Sequence, residues 1–308
     1  MAEVALARPL RDTVTASPRL RRRQRLHAAM MTIVPAAATV AAIADAVVHG
    51  VAPCALIAFA TMYLATFIGI TVGFHRLASH AAFSAGPGVR AVLFGLGSMA
   101  AQGPVSYWAT NHRRHHAHSD RDGDPHSPLV DGTRPLTGLR AFWHSHMGWN
   151  FDHALTNTLV YGKDLARDPV VARINRLYYV FVAAGLALPA LVCGLVTGRA
   201  SGAVAGLVWG GLVRLFASYH AAACINSLTH LIGHRAYSTR DHSGNVAWLA
   251  LPTLGESWHN NHHAFPGSAI FGHRWWQLDL GGSVIRALEM VSLATDVHRP
   301  RQEATRDD

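Results

Sequence analysis

Four apolar stretches constrain this 308-residue chain more than any other feature. They cover about 29–48, 53–73, 177–196 and 202–224. A bilayer core takes roughly 20 apolar residues per helix, so each stretch is long enough to cross. The first two are joined by His49-Gly50-Val51-Ala52 and the last two around Thr197-Gly198-Arg199. Links this short make two transmembrane hairpins. Arg19-Leu20-Arg21-Arg22-Arg23-Gln24-Arg25 precedes the first stretch and places the N-terminus in the cytoplasm by the positive-inside rule. Its long basic leader, and the second stretch close behind, read as a retained first membrane helix rather than a signal peptide. Two hairpins return the chain to its starting side, so 74–176 and 225–308 share that side. The expected fold is all-α integral membrane: four transmembrane helices in two hairpins under a cytoplasmic helical cap. The expected boundaries are a polar basic segment 1–27, a membrane domain 28–294 and a frayed polar tail 295–308. A glycine-containing stretch, about 89–105, reads as a helix lying on or dipping into the membrane, and a short apolar stretch, Val246 to Leu254, follows later.

Half of the residues are apolar and 15% are charged, which excludes a disordered chain. The net charge of +9 comes almost wholly from arginine, Lys163 being the only lysine. That excess fits a membrane surface, an acidic redox partner or a phosphorylated substrate. Nucleic acid is not expected, because no basic stripe carries interleaved aromatics. Cys54, Cys193 and Cys224 lie in apolar stretches without a Cys-x-x-Cys pair, so they read as small buried hydrophobes.

Three histidine clusters flank the apolar stretches. They are His75-Arg76-Leu77-Ala78-Ser79-His80, His112-Arg113-Arg114-His115-His116 and His259-Asn260-Asn261-His262-His263. Neutral imidazole is the commonest protein metal ligand. Eight imidazoles are too many for one ion and point to two. His112, His115 and His116 stand at i, i+3 and i+4, as do His259, His262 and His263, so each triplet projects from one helix face. His75 and His80 are five apart, about 140° around a regular helix. They therefore flank a two-metal site, or the helix loosens there. A structural zinc site needs four ligands, usually with cysteine. Many histidines without thiolate fit a pair of transition metals better, with iron favoured.

At this point the chain resembles the integral-membrane fatty acid desaturases, in the bacterial Δ9 acyl-CoA branch. The resemblance spans roughly 50–300. It rests on Trp108-Ala109-Thr110-Asn111-His112-Arg113-Arg114-His115-His116, then Asp120 and Asp124-Pro125-His126-Ser127. Phe142-Trp143-His144-Ser145-His146-Met147-Gly148-Trp149 and Asn226-Ser227-Leu228-Thr229-His230 follow. Last comes Gly255-Glu256-Ser257-Trp258, running on to Ala264-Phe265-Pro266.

The resemblance implies two non-haem irons held by nine histidines: the eight above and His230, with Asn226 reaching iron through a water. It implies that O2 is co-substrate and that one hydrogen leaves each of two adjacent carbons, giving a cis alkene and water. Two electrons must then come from outside. The sequence has no Gly-x-Gly-x-x-Gly, no Walker motif and no His-Pro-Gly-Gly. The donor is therefore expected to be a separate ferredoxin, oxidoreductase or cytochrome, fed by NAD(P)H and docking on the cytoplasmic face. Asp120, Asp124, His126, His146 and Glu256 are candidates to support the ligands, since ligating imidazoles commonly donate their other N–H to a carboxylate. Gln102, Trp108 and Trp149 are candidates to contact a fatty acyl substrate. Arg113, Arg114, Lys163, Arg167, Arg173 and Arg176 are candidates to pair with phosphates. The expected location is a bacterial cell membrane, multi-pass, with both termini cytoplasmic.

One departure stands beside the third cluster. Ser268-Ala269-Ile270-Phe271-Gly272 replaces a family pattern of Ser-Ala-Arg-His-Gly, which puts head-group contacts in doubt. The same iron core also serves hydroxylases, ketolases and sterol-type oxidases. A metal-handling carrier or sensor is the alternative from another class. It would need a polar path through the membrane, and Asp45 and Arg214 are the main intramembrane charges.

Overall fold

The computed structural model describes residues 12–152 and 154–300. The outer ends of the two polar segments, 1–11 and 301–308, lie outside the described residues. Four helices are long and apolar enough to cross a membrane: α1 (Pro18–His49), α2 (Pro53–Ser79), α6 (Tyr178–Thr197) and α7 (Ala200–Leu231). Between and after them lie α3 (Pro87–Ser98), α4 (Val105–His118), α5 (Pro169–Arg176), α8 (His259–Ala264) and α9 (Leu280–Met290).

Local sequence sets the ends of the first hairpin. Ser17 caps α1 by accepting from the Leu20 N–H at 3.4 Å, and Pro18 occupies the first turn, where its missing N–H costs nothing. Gly50, at φ 74°, ends the helix. Both α1 and α7 have 32 residues, hence lengths of about 48 Å against a hydrocarbon core of about 30 Å. The apolar stretches marked only the lipid-facing part of each helix. The polar ends continue in helical form beyond it, and His230 stands in the last turn of α7.

The glycine-containing stretch packs against α2 and α6. A Cβ placed on Gly69 would come 2.0 Å from the Gly97 nitrogen, so α2 and α3 touch backbone to backbone. The C-terminal end of α3 is held by Arg214, whose guanidinium donates to the carbonyls of Met99 (2.8 Å), Gly185 (2.8 Å) and Gly210 (3.2 Å). Gly185 lies roughly 18 Å from the far end of α6 at helical rise. The chain then turns through Ala101, at φ 58°, with its carbonyl accepting from His27 Nε2 at 3.1 Å. From this turn α4 runs along the end of α2.

The second half of α2, Gly69–Ser79, is wound as a π-helix, which bonds i to i+5 and is frequent at functional sites. The polar tail is pinned rather than frayed as far as His298. Ala294 and Thr295 pair with Ala85 and Ser84, and His298 exchanges backbone bonds with Ala82 and Ala269, both at 2.9 Å. The backbone groups of 82–85 need partners, and the tail supplies them. The cap core joins Phe74, Phe94 and Ala109 in one cluster and Phe83, Ala269 and Ile285 in another.

Candidate metal centre

All nine expected histidines meet in the cap, in two groups. His75, His80, His112, His116 and His262 form the first, and His115, His230, His259 and His263 the second. Within each, the ligand-capable atoms lie within 4.8 Å of one another. The π-winding brings His75 and His80 together. The His80 N–H donates to the His75 carbonyl at 3.2 Å, one π turn away, and the rings stand 5.1 Å apart.

Each i, i+3, i+4 triplet is divided between the groups. On α4, His112 and His116 enter the first and His115 the second. On α8, His259 and His263 enter the second and His262 the first. At about 100° per residue, i+4 lies some 40° to one side of i and i+3 some 60° to the other. One helix face therefore serves two sites side by side.

Carboxylates grip four of these rings from behind. His115 Nδ1 lies 2.9 Å from Asp124, His230 Nδ1 3.0 Å from Asp120, and His263 Nδ1 2.8 Å from Asp241. His75 Nδ1 bonds Glu256, which also meets Thr71 and Arg76. Burial alone would raise these carboxyls, but their imidazole partners, with Arg76 beside Glu256, hold all four below the ordinary range. With Nδ1 donating to a carboxylate, Nε2 is left with a lone pair.

The Nε2 atoms converge. His80 and His112 bring theirs to 2.7 Å, His116 and His262 to 2.9 Å, His75 and His262 to 3.1 Å, and His230 and His259 to 3.0 Å. Burial, reinforced by the neighbouring rings, pushes His80, His112, His116, His259 and His262 well below the ordinary imidazole value. Burial also takes His263 down to about 4. Neutral rings with converging lone pairs repel one another, and a cation between them removes the repulsion. The donor set therefore fits two metal ions.

A cavity of about 560 Å³ runs beside both groups. Gln102, Trp108, Trp149 and Asn226 line it, with His75, His112, His115 and His259. The Trp108 indole donates to Gln102 Oε1 at 3.3 Å and stacks on His112 at 5.3 Å. Residues 13 and 15 cross over it, with Thr15 N–H donating to the Leu155 carbonyl at 2.7 Å and Asn157 N–H to that of Thr13 at 2.8 Å. His126 stacks on His115 at 4.4 Å and meets Trp149 at 5.2 Å. His146 also lines the cavity, but its ring bonds Ser227 at 3.0 Å and His220 at 2.9 Å rather than any of the nine.

One reading needs correction. Arg113 donates to Ala78, Ser79 and Tyr161 carbonyls and to Asp164, and Arg114 to Gly123 and Ala154 carbonyls. Both guanidiniums bind the fold and do not await phosphate, whereas Lys163, Arg167, Arg173 and Arg176 are exposed. Ile270 and Phe271 are buried, and Phe271 lies 4.5 Å from the His262 ring and 5.4 Å from His75. The apolar departure thus walls the first group. Asp241 and Phe271 were missed as supports of the site. Asp241 stands 22 residues before His263, with no motif to mark it.

A sequence model of the family described as fatty acid desaturase matches residues 52–289. The chain belongs to the fatty acid desaturase family. A hex-5-enoyl-(acyl-carrier protein) acetylenase of Moorena producens is 40% identical over 279 residues, covering 90% of this chain and 87% of that one. An sn-1 stearoyl-lipid 9-desaturase of Anabaena variabilis is 38% identical, over 75% of this chain and 78% of the relative. A delta-9 acyl-lipid desaturase of Arabidopsis thaliana is 37% identical, over 80% and 75%. This desaturase is accordingly an oxygen-dependent oxidoreductase of lipid metabolism, and a membrane protein. The metal-handling alternative is left without support.

Proposed function

We propose that the protein introduces a cis double bond into a long-chain fatty acyl group, using O2 at two irons. The nine histidines would hold the irons, and Asn226 would reach one of them through a water. The convergence of nine imidazoles beside an acyl-sized cavity carries this reading. When bound, iron would supply the O2-derived oxidant that an unactivated methylene demands.

The residues of the chain do the rest. Asp120, Asp124, Asp241 and Glu256 fix the tautomers of four rings. His126 buttresses His115, while His146 and Trp149 shape the cavity wall. Gln102 and Trp108 position the acyl chain against the first group, and Phe271 excludes water from behind it. A separate ferredoxin, oxidoreductase or cytochrome, fed by NAD(P)H, supplies two electrons. The protein sits in a bacterial cell membrane with both termini cytoplasmic.

The resemblance favours acyl-CoA and the Δ9 position. The names of the relatives favour a second reading, an acyl chain carried on a lipid or on acyl carrier protein. Arg23, the one Lys or Arg among the described residues lining the cavity, is sparse provision for the phosphates of CoA. The test is fatty-acid profiling of a desaturase-deficient host expressing the chain, with iron and oxygen supplied. A new cis-monounsaturated acid is expected, its position read from the mass spectrum of a derivative. Appearance on CoA, lipid or carrier protein at the earliest times identifies the carrier. An iron-loaded protein that yields a hydroxylated acid and no alkene would refute desaturation.

A further inference from the structure

The histidine centre is buried or half-buried throughout, yet one short loop connects it to solvent. The His242 side chain is 64% exposed while its Nδ1 lies 3.6 Å from Asp120 Oδ2. Its backbone N–H donates to the same oxygen at 2.7 Å, and that oxygen also meets His230 Nδ1 at 3.0 Å. The preceding residue, Asp241, holds His263. One residue of the loop therefore rests on the carboxylate that holds His230, and the residue before it is the carboxylate that holds His263.

This loop lies beyond the end of α4 that is farther from the 99–104 turn. Helix α4 leaves the turn at 99–104 and rises about 21 Å over its 14 residues. Asp120, against which His242 rests, follows its far end. Arg121 and Arg240 flank this contact in sequence, and Arg274 follows His273, whose Nδ1 meets the Tyr237 hydroxyl at 3.0 Å. All three arginines are exposed, and none forms an ion pair among the described residues. Arg235 differs, since its guanidinium is spent on the Thr239 and Asp241 carbonyls.

We propose that loop 239–245, with Arg121, Arg240 and Arg274 around it, is the face on which an acidic one-electron carrier protein docks, and that His242–Asp120–His230 is its electron-delivery route. This rests on the two-iron reading above. Each encounter oxidises the carrier by one electron and reduces the metal pair by one. Two encounters supply two electrons; with O2, two protons from water and the two hydrogens taken from the acyl chain, they account for two waters. Unpaired cations suit a transient partner, because they speed encounter and orient it without the large apolar contact of a permanent complex.

The test uses the full chain in lipid nanodiscs and a plant-type 2Fe–2S ferredoxin. Binding of oxidised ferredoxin to metal-free protein is measured at low and high salt. R121E/R240E should weaken it about tenfold and flatten its salt dependence, whereas R173E/R176E on α5 should change it less than about twofold. His242→Ala should leave ferredoxin binding within about twofold and slow reduction of iron-loaded protein by reduced ferredoxin, followed in the ferredoxin absorbance. It should not slow reduction by dithionite. Absence of binding to the wild type, equal weakening by both double variants, or unaltered ferredoxin oxidation in His242→Ala would overturn the proposal. Because docking is read without metal, its failure is separable from failure of the desaturase reading.

Discussion

Asp241→Asn is the substitution that tests the site most sharply. Asp241 Oδ2 accepts from His263 Nδ1–H at 2.8 Å, while Oδ1 accepts from the Ser243 N–H at 3.0 Å and the Thr239 hydroxyl at 2.9 Å. An asparagine of the same shape keeps its carbonyl oxygen on Ser243 and Thr239, which leaves its NH2 facing His263. Two donors then oppose each other. The imidazole escapes by moving its proton to Nε2, the atom that must face a metal. Loss of such an outer hydrogen-bond partner costs about 10–100-fold in metal affinity, or about 1.4–2.7 kcal/mol, and the tautomer conflict places this case in the upper half. The loss should fall on the second group alone, because no first-group ring touches Asp241 in any described contact. Competition between the protein and a chelator for cobalt(II) reads both sites, and iron content after purification should fall by half. Unchanged affinity at both sites, with unchanged thermal stability, would refute the tautomer argument.

His263→Ala should abolish double-bond formation and lower bound iron while leaving membrane insertion intact, checked by iron content and by alkaline extraction of membranes. Gly69→Val should force α2 and α3 apart, since a Cβ there meets Gly97 at 2.0 Å. The expected cost is about 1–3 kcal/mol or more, read as a drop in melting temperature in detergent. Arg214→Met should strand the Met99 and Gly185 carbonyls, at about 1–3 kcal/mol for each one left unsatisfied. Arg214→Lys should recover part of that stability in the same melt, and an identical loss in both variants would count against the clamp.

The hairpins and histidine clusters were legible because each is written in a short window. Apolar length marks a span, and three histidines within five residues mark a helix face. The close packing of α3 was half legible, since its glycines announce close approach but not the partner, Gly69. Asp241 was not legible. It reaches His263 only when loop 239–245 folds over α8, and an aspartate in a polar loop looks like any solvated acid. The division of each triplet was hidden for another reason. A face tells which side residues share, and the 100° step that parts i+3 from i+4 matters only once two ions compete for them. Arg113 and Arg114 misled because their carbonyl partners, from Ala78 to Tyr161, lie on four separate stretches of chain.

The π-wound end of α2 gives one helix two independent angular settings. Its first half, Pro53–Ile68, must turn its apolar sides to lipid and to α7, an orientation set by the bilayer. Its second half, Gly69–Ser79, must aim His75 and the following His80 at a metal-sized gap, an orientation set by chemistry. A continuous α-helix would lock the two together, so any rotation that improved one would spoil the other. The wider winding uncouples them like a gear change on a common shaft. Deleting one residue between 69 and 74 would let regular winding resume, leave the lipid-facing half where it is, and swing both histidines out of phase with α4 and α8.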